Sequence, residues 1–190
     1  MKKRKRAQRR VLVIVVILLL AIVASLYGMS TARKASYPVR YQEIAEQKAE
    51  QYDLPLSLVM AVIRTESSFQ ADAVSNVGAV GLMQIMPDTG RWIAGKLGWE
   101  DYTDAMLTDP EKNIELGCWY LRFLMDRFEG DMTAVLAGYN AGHNRVAQWL
   151  QDPANTQDGK LVYVPHPDAE EYVERVLYAQ TKYQEIYQMD

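Results

Sequence analysis

Residues 61–75, AVIRTESSFQADAVS, carry a single carboxylate, Glu66, where an apolar helical run gives way to small polar residues. A carboxylic acid at the C-terminal end of a helix meets the negative end of the helix dipole. Apolar surroundings also disfavour its charged form, so both effects raise its pKa. A glutamic acid that stays protonated near neutral pH suits general acid catalysis, such as protonating the leaving oxygen of a glycoside. Most glycosidases set two carboxylates across the scissile bond. The nearby candidates for a second acid are Asp72 and Asp88. Asp88 follows Pro87 at a helix start, where helix-terminus electrostatics accounts for it. Asp72 lies in a loop and stays open as a second acid. Taken alone, Glu66 also reads as a solvated charge at a helix end.

Three further stretches change the weight of these readings. ESSF at 66–69 is followed by GAVGLMQIMP at 78–87, by AGYNAGHNRV at 137–146, and by a tyrosine-bearing final helix with Tyr172-Val173. In this order and spacing the chain from 41 to 190 resembles the catalytic domain of soluble lytic transglycosylases. These form the goose-type-lysozyme-like family that cleaves peptidoglycan (glycoside hydrolase family 23). The matching positions are Glu66-Ser67, Ser75, Gly78, Gly81-Leu82-Met83-Gln84, Gly138-Tyr139-Asn140-Ala141-Gly142 and Tyr172.

The resemblance implies a role for each. Glu66 is expected to act as general acid and then base in cleaving the MurNAc–GlcNAc β-1,4 bond. Ser75, Met83, Gln84 and Tyr139 are expected to line the sugar groove, with Tyr139 donating its hydroxyl to the glutamate or to the substrate N-acetyl group. Asn140 is expected to hold the loop or touch sugar, and Tyr172 to bind substrate from the last helix. Two departures stand out. Gly138 replaces a common alanine, and DAEEY at 168–172 puts Asp168 where the family often has glutamate, with Ala169-Glu170 for Thr-Arg.

The resemblance also implies a way in which one carboxylate suffices. The substrate's own N-acetyl group is expected to stabilise the developing cation, an exception to the two-acid scheme. The muramoyl C6 hydroxyl is then expected to attack and leave a 1,6-anhydro-muramoyl end without consuming water. No metal or cofactor is expected, and His143 and His166 are too few for a metal site. Two alternatives remain at this stage: a hydrolytic muramidase using Glu66 and Asp72, and a non-catalytic wall-binding scaffold.

The elements that must position these residues read as helices. Helical signals cover 41–53, 55–67, 87–98, 109–130, 131–142 and 168–187. In the fourth, Asp109 fits the N-cap, Pro110 the first turn and Gly130 the stop. Residues 67–87 fit neither helix nor strand, and long loops of this kind in compact domains usually bind or catalyse. Residues 151–166 hold an Asp-Gly turn before LVYV, which leaves room for one small β-hairpin. The expected fold is all-α and lysozyme-like.

The N-terminus is of another kind. Residues 1–10 hold seven Lys/Arg and no acid, and residues 11–28, VLVIVVILLLAIVASLYG, hold no charge. As a helix, that run reaches about 27 Å, close to the hydrocarbon thickness of a bilayer. It is longer than the core of a cleaved signal peptide. The expectation is a basic cytoplasmic tail (1–10), a transmembrane signal-anchor (11–28), a linker (29–40) and the catalytic domain (41–190). The charge bias places that domain outside, on a single-pass protein of the cell membrane.

Net charge is −3, but the 24 acids all lie after residue 40, against 11 of the 21 Lys/Arg. The resulting −13 makes the domain a poor partner for nucleic acid and leaves a neutral polymer such as a glycan strand acceptable. The single cysteine, Cys118, forms no intrachain disulfide and reads as a small buried hydrophobe.

Overall fold

The computed structural model describes the backbone of residues 2–190 and the side chains of 17–25, 27–29 and 31–190. The side chains of the basic tail and of residues 11–16 of the apolar run lie outside the described residues. The chain forms two compact units, 1–38 and 39–190.

The first unit is one helix, α1 (Lys2–Ser36). Within it Ile17–Ser36 is 20 residues long, with a mean hydropathy of 1.3 and none of its described side chains buried. An apolar helix near an N-terminus serves as a signal sequence or as an anchor. The linker expected at 29–40 is helical as far as Ser36. Thr31 Oγ1 and Ser36 Oγ turn back onto the carbonyls of Gly28 and Ala32, at 2.9 and 3.1 Å, so these polar side chains are satisfied without breaking the helix.

The second unit is built around α3 (Leu56–Ser67). Its residues from Leu56 to Ile63 are all buried. A helix apolar on every side belongs in the centre of a domain. It is flanked by α2 (Gln42–Gln51) and α8 (Pro167–Tyr187). The buried face of α8 comprises Ala169, Tyr172, Val173, Val176, Ala179 and Tyr183, at steps of three and four. Pro167 opens that helix at a position where a missing N–H costs nothing. The C-terminal residue closes the packing: Ser57 N donates to the Asp190 carbonyl at 3.0 Å.

α5 (Pro110–Arg127) supports the other side of the site, and the cap expected for it is in place. The Asp109 carboxylate accepts from Lys112 N at 3.0 Å. Cys118 is buried on this helix. Lys48 of α2 is almost fully buried and reaches Glu115 of α5 at 2.9 Å, a charge pair tying the two helices.

α4 (Pro87–Leu97) and a 3-10 turn (Asp104–Thr108) precede α5, and α6 (Met132–Ala141) follows it. The 3-10 turn and α7 (His143–Trp149) have no counterpart in the sequence reading. The hairpin expected in 151–166 forms from β1 (Thr156–Gln157) and β2 (Lys160–Leu161), paired antiparallel. Its turn residues Asp158 and Gly159 have φ of 52° and 77°, the left-handed pair that a two-residue hairpin turn requires. Asp131 holds the hairpin against the start of α6, accepting from Leu161 N at 2.7 Å.

Candidate active site

Glu66 lies in the last turn of α3. It is part-exposed, with its carboxyl crowded by protein on most sides. Burial raises its pKa to about 7, against a weaker downward pull from the Tyr172 hydroxyl and then from the Arg175 charge. No second carboxylate is among the groups that act on it. Asp72 is exposed on the loop, and Asp88 is exposed in the first turn of α4, paired with Arg91.

After Glu66 the chain makes a forced exit. Ser68 and Phe69 both have positive φ, 50° and 65°, and the Phe69 side chain is buried. Two successive left-handed residues, one of them bulky, cost energy and persist only where the surroundings hold them. The buried Ser67 provides part of that hold. Its hydroxyl lies 2.8 Å from the Leu82 carbonyl and 3.2 Å from that of Ile63, so the helix end is clasped to the far side of the loop.

The loop from 68 to 86 is shaped by its own backbone and by one side chain from α5. Isolated antiparallel bridges join Val74 to Val80 and Val80 to Ile85. Asn113 is fully buried and makes three hydrogen bonds. Its amide donates to the carbonyls of Leu107 (2.8 Å) and Val80 (3.0 Å), and its Oδ1 accepts from Met83 N (2.7 Å). Gly81, with φ +85°, passes so close that a methyl group there would sit 2.2 Å from the Leu107 carbonyl oxygen and 2.3 Å from the Asn113 amide. Only glycine fits both the conformation and the space.

The far wall is tyrosine. Tyr139 of α6 donates its hydroxyl to the Met83 carbonyl at 2.9 Å. Burial holds its pKa well above the usual phenol value, and the nearby Glu66 charge adds to this. Tyr172 of α8 is buried, and its hydroxyl has no partner at hydrogen-bond distance. That hydroxyl still lies near enough to Glu66 for a weak hydrogen-bonding pull, and burial followed by the Glu66 charge keeps it protonated. Two surface hollows, of about 340 Å³ beside Asp190 and about 390 Å³ beside the hairpin, do not include Glu66.

Residues 43–162, more than half of the chain, match the Transglycosylase SLT domain. The chain belongs to this family.

Its SLT domain is 33% identical over 144 residues to the soluble lytic murein transglycosylase of Escherichia coli, covering 74% of this chain and 22% of that one. It is 36% identical over 116 residues to the membrane-bound lytic murein transglycosylase C of Edwardsiella ictaluri, covering 56% of this chain and 32% of the relative. Among solved structures it superposes on the 70 kDa soluble lytic transglycosylase of Escherichia coli with a TM-score of 0.74, at 30% identity, over 82% of this chain and 26% of that one. An inactive mutant of the lytic transglycosylase Slt from Pseudomonas aeruginosa gives 0.71 at 33% identity, over 80% and 25%. The chain thus spans about a quarter of the length of the soluble relatives it matches. The fold is the mainly helical, lysozyme-like SLT fold with a small hairpin.

Within the SLT domain the expected site residues separate into groups. Glu66, Tyr139 and Tyr172 come together as one electrostatic cluster. Met83 needs correction, because it is fully buried and its side chain fills the space beside Gly117 rather than facing a groove. Its contribution is its backbone, held by Asn113 on one side and Tyr139 on the other. The Tyr139 donor, expected to reach the glutamate or the substrate, is occupied by the Met83 carbonyl.

Gln84 sits on the loop in a left-handed conformation, φ 49°, with its amide nitrogen donating to the carbonyls of Gly81 (2.9 Å) and Ala73 (3.1 Å). Its Oε1 is left to accept. The Ser75 hydroxyl accepts from Ala79 N at 2.9 Å and so closes its own turn. Asn140 is exposed on the outer end of α6, and Asp168 is exposed in the first turn of α8. Gly138 is explained by crowding, since the carbon an alanine adds there would lie 2.9 Å from the Phe128 ring. Asn113 was missed by the sequence reading. Its trace is a polar residue on the same helical stripe as Gly117, Leu121 and Leu124, all buried.

Proposed function

We propose that this chain is a lytic transglycosylase of peptidoglycan that cleaves the MurNAc–GlcNAc β-1,4 bond and leaves 1,6-anhydro-muramoyl ends. The observation that carries the reading is Glu66: a part-exposed acid with its pKa raised to about 7 by burial and no second carboxylate acting on it. At neutral pH such a group is protonated often enough to donate and ionised readily enough to accept. Glu66 gives its proton to the glycosidic oxygen as the C1–O bond breaks. The substrate N-acetyl oxygen stabilises the cationic centre, the task given to a second carboxylate in other glycosidases. The muramoyl C6 hydroxyl then bonds to C1 and returns its proton to Glu66, so no water enters the balance.

In this scheme Tyr172 steadies the ionised Glu66 between the two proton transfers, since its hydroxyl has no other partner. Tyr139 fixes the Met83 peptide beside the acid. Gln84, through Oε1, and Ser75, through its free hydroxyl proton, present polar atoms from the loop to the sugar, and Asn140 meets the strand from the end of α6. The apolar helix with its basic leader is a single-pass anchor, with the domain on the extracytoplasmic side.

Mass spectrometry of purified peptidoglycan digested by the full chain tests the reading. Anhydro-muramoyl ends are expected, together with their loss in Glu66→Gln. Ordinary reducing ends would instead mean that water attacks, as in a muramidase.

A further inference from the structure

We propose that a cluster of half-buried rings on α4, α5 and the start of α7 extends the catalytic site as a glycan-binding surface, holding sugar residues distal to the scissile bond. The inference rests on the transglycosylase reading above and names where its polymer runs.

Trp92 of α4 is the centre of the cluster. Its indole meets Trp119, Phe123 and Tyr120 of α5 edge to face, with ring centroids 5.3, 5.1 and 6.2 Å away. It stacks on His143 at 5.9 Å and 25°. Trp119 and Phe123 are one helical turn apart and lie parallel within 5°, at 5.6 Å. Trp92, Trp119, Phe123 and His143 all keep part of their surface in solvent. Phe69 and Tyr183, by contrast, are buried in the core, while the exposed Tyr163 and Tyr178 stand outside this cluster.

The cluster continues into the catalytic site. The Tyr120 ring lies 5.4 Å from that of Tyr139, whose hydroxyl holds the Met83 carbonyl and whose phenol feels the Glu66 charge. The Tyr120 hydroxyl lies 3.3 Å from His143 Nδ1, so this ring pair is locked as well. From Tyr139 the rings lead outward through the buried Tyr120 to the part-exposed Trp92, Trp119, Phe123 and His143.

The chemistry of the surface selects its occupant. The C–H faces of a pyranose carry partial positive charge and sit well against the negative face of an aromatic ring. N-acetyl methyl groups pack on the same rings. The cluster contains no carboxylate, and His143 brings a second ring nitrogen as a polar handle. The rings brace one another, so little side-chain freedom is lost when a strand settles on them. Continuity with Tyr139 makes the occupant the glycan strand being cut rather than an unrelated ligand.

The test uses the full chain in mild detergent and two readouts. In the first, kcat/KM is measured on long glycan strands and on the shortest fragment the enzyme cleaves. Trp119→Gln is expected to lower the long-to-short ratio about tenfold. An unchanged ratio in a folded variant overturns the proposal while the transglycosylase reading stands. Absence of any cleavage by the unaltered protein overturns both.

The second readout needs no change to the cluster. A Glu66→Gln chain that also carries Trp99→Phe and Trp149→Phe reports through Trp92 and Trp119 alone. N-acetylglucosamine oligomers are expected to protect this emission from acrylamide quenching, more strongly as they lengthen. Absence of protection at saturating oligomer overturns the proposal, whether or not Trp119→Gln folds.

Discussion

Replacing Glu66 by glutamine removes a charge that the fold disfavours, so the change is expected to stabilise the protein while abolishing activity. The pKa of Glu66 rises from 4.5 in a solvated chain to about 7 in the folded one, chiefly through burial. The folded state therefore holds this proton roughly 300 times more tightly than the unfolded state, a difference worth about 3 kcal/mol. The sign follows from linkage. Below pH 4.5 the acid is protonated in both states and costs nothing. Between 4.5 and 7 the unfolded chain releases its proton first, so wild-type stability falls as pH rises, and above about 7 the full penalty remains. Glutamine never ionises and escapes it. The stability gap between Glu66→Gln and wild type should thus be smallest near pH 4 and widen by up to about 3 kcal/mol near pH 8. Solvent access to the carboxyl makes that figure an upper bound. For a domain of this size it corresponds to roughly 10 °C in melting temperature. Thermal or urea unfolding of the two proteins at pH 4, 6 and 8 gives the comparison. A gap that stays flat across these values, or closes as pH rises, would show that Glu66 is not held protonated by burial, and the case for a general acid would fail with it.

Two further outcomes follow from the same geometry. Catalysis through protonated Glu66 should decline as pH rises past about 7, and because Tyr172 pulls that pKa downward, Tyr172→Phe should move the alkaline limb of the kcat/KM profile to higher pH; a limb that stays put removes Tyr172 from the acid's surroundings. Asn113→Ala leaves the Met83 N–H and the carbonyls of Val80 and Leu107 without this partner, an expected loss of about 3 kcal/mol with a steep fall in activity, and unchanged urea unfolding would contradict the bracing role given to this residue.

Much of this arrangement was legible in the chain because local chemistry and tertiary role coincide. Asp109-Pro110 marks a helix start whatever surrounds it, and Asp158-Gly159 marks a hairpin turn. Glu66 at the end of an apolar run could be recognised as an unusual acid. What escaped depends on partners distant in sequence. Met83 sits in GLMQIM between apolar Leu82 and polar Gln84, so the local pattern does not direct its side chain, and only the gap beside Gly117, thirty-four residues later, decides that it belongs to the core. Asn113 shares the inward stripe of Gly117, Leu121 and Leu124, but what its amide holds is set by a loop some thirty residues earlier. The helix from His143 has seven residues and a single buried one, Val146, too short to display a period. The aromatic cluster draws its members from three helices, and no spacing within any one of them announces it.

The peptide unit at Met83 has one consequence for how the protein fails. Its N–H is held by a buried side chain of α5 and its carbonyl by the hydroxyl of α6. A stretch of loop this long would ordinarily open by itself many times for each global unfolding, exchanging its amide protons quickly. At Met83 two bonds to different helices oppose that opening, so its amide is expected to exchange more slowly than those of the exposed loop residues around it. The wall beside Glu66 is thereby tied to two helices of the domain rather than left to its own backbone, and loss of activity on heating is expected to track loosening of those two bonds.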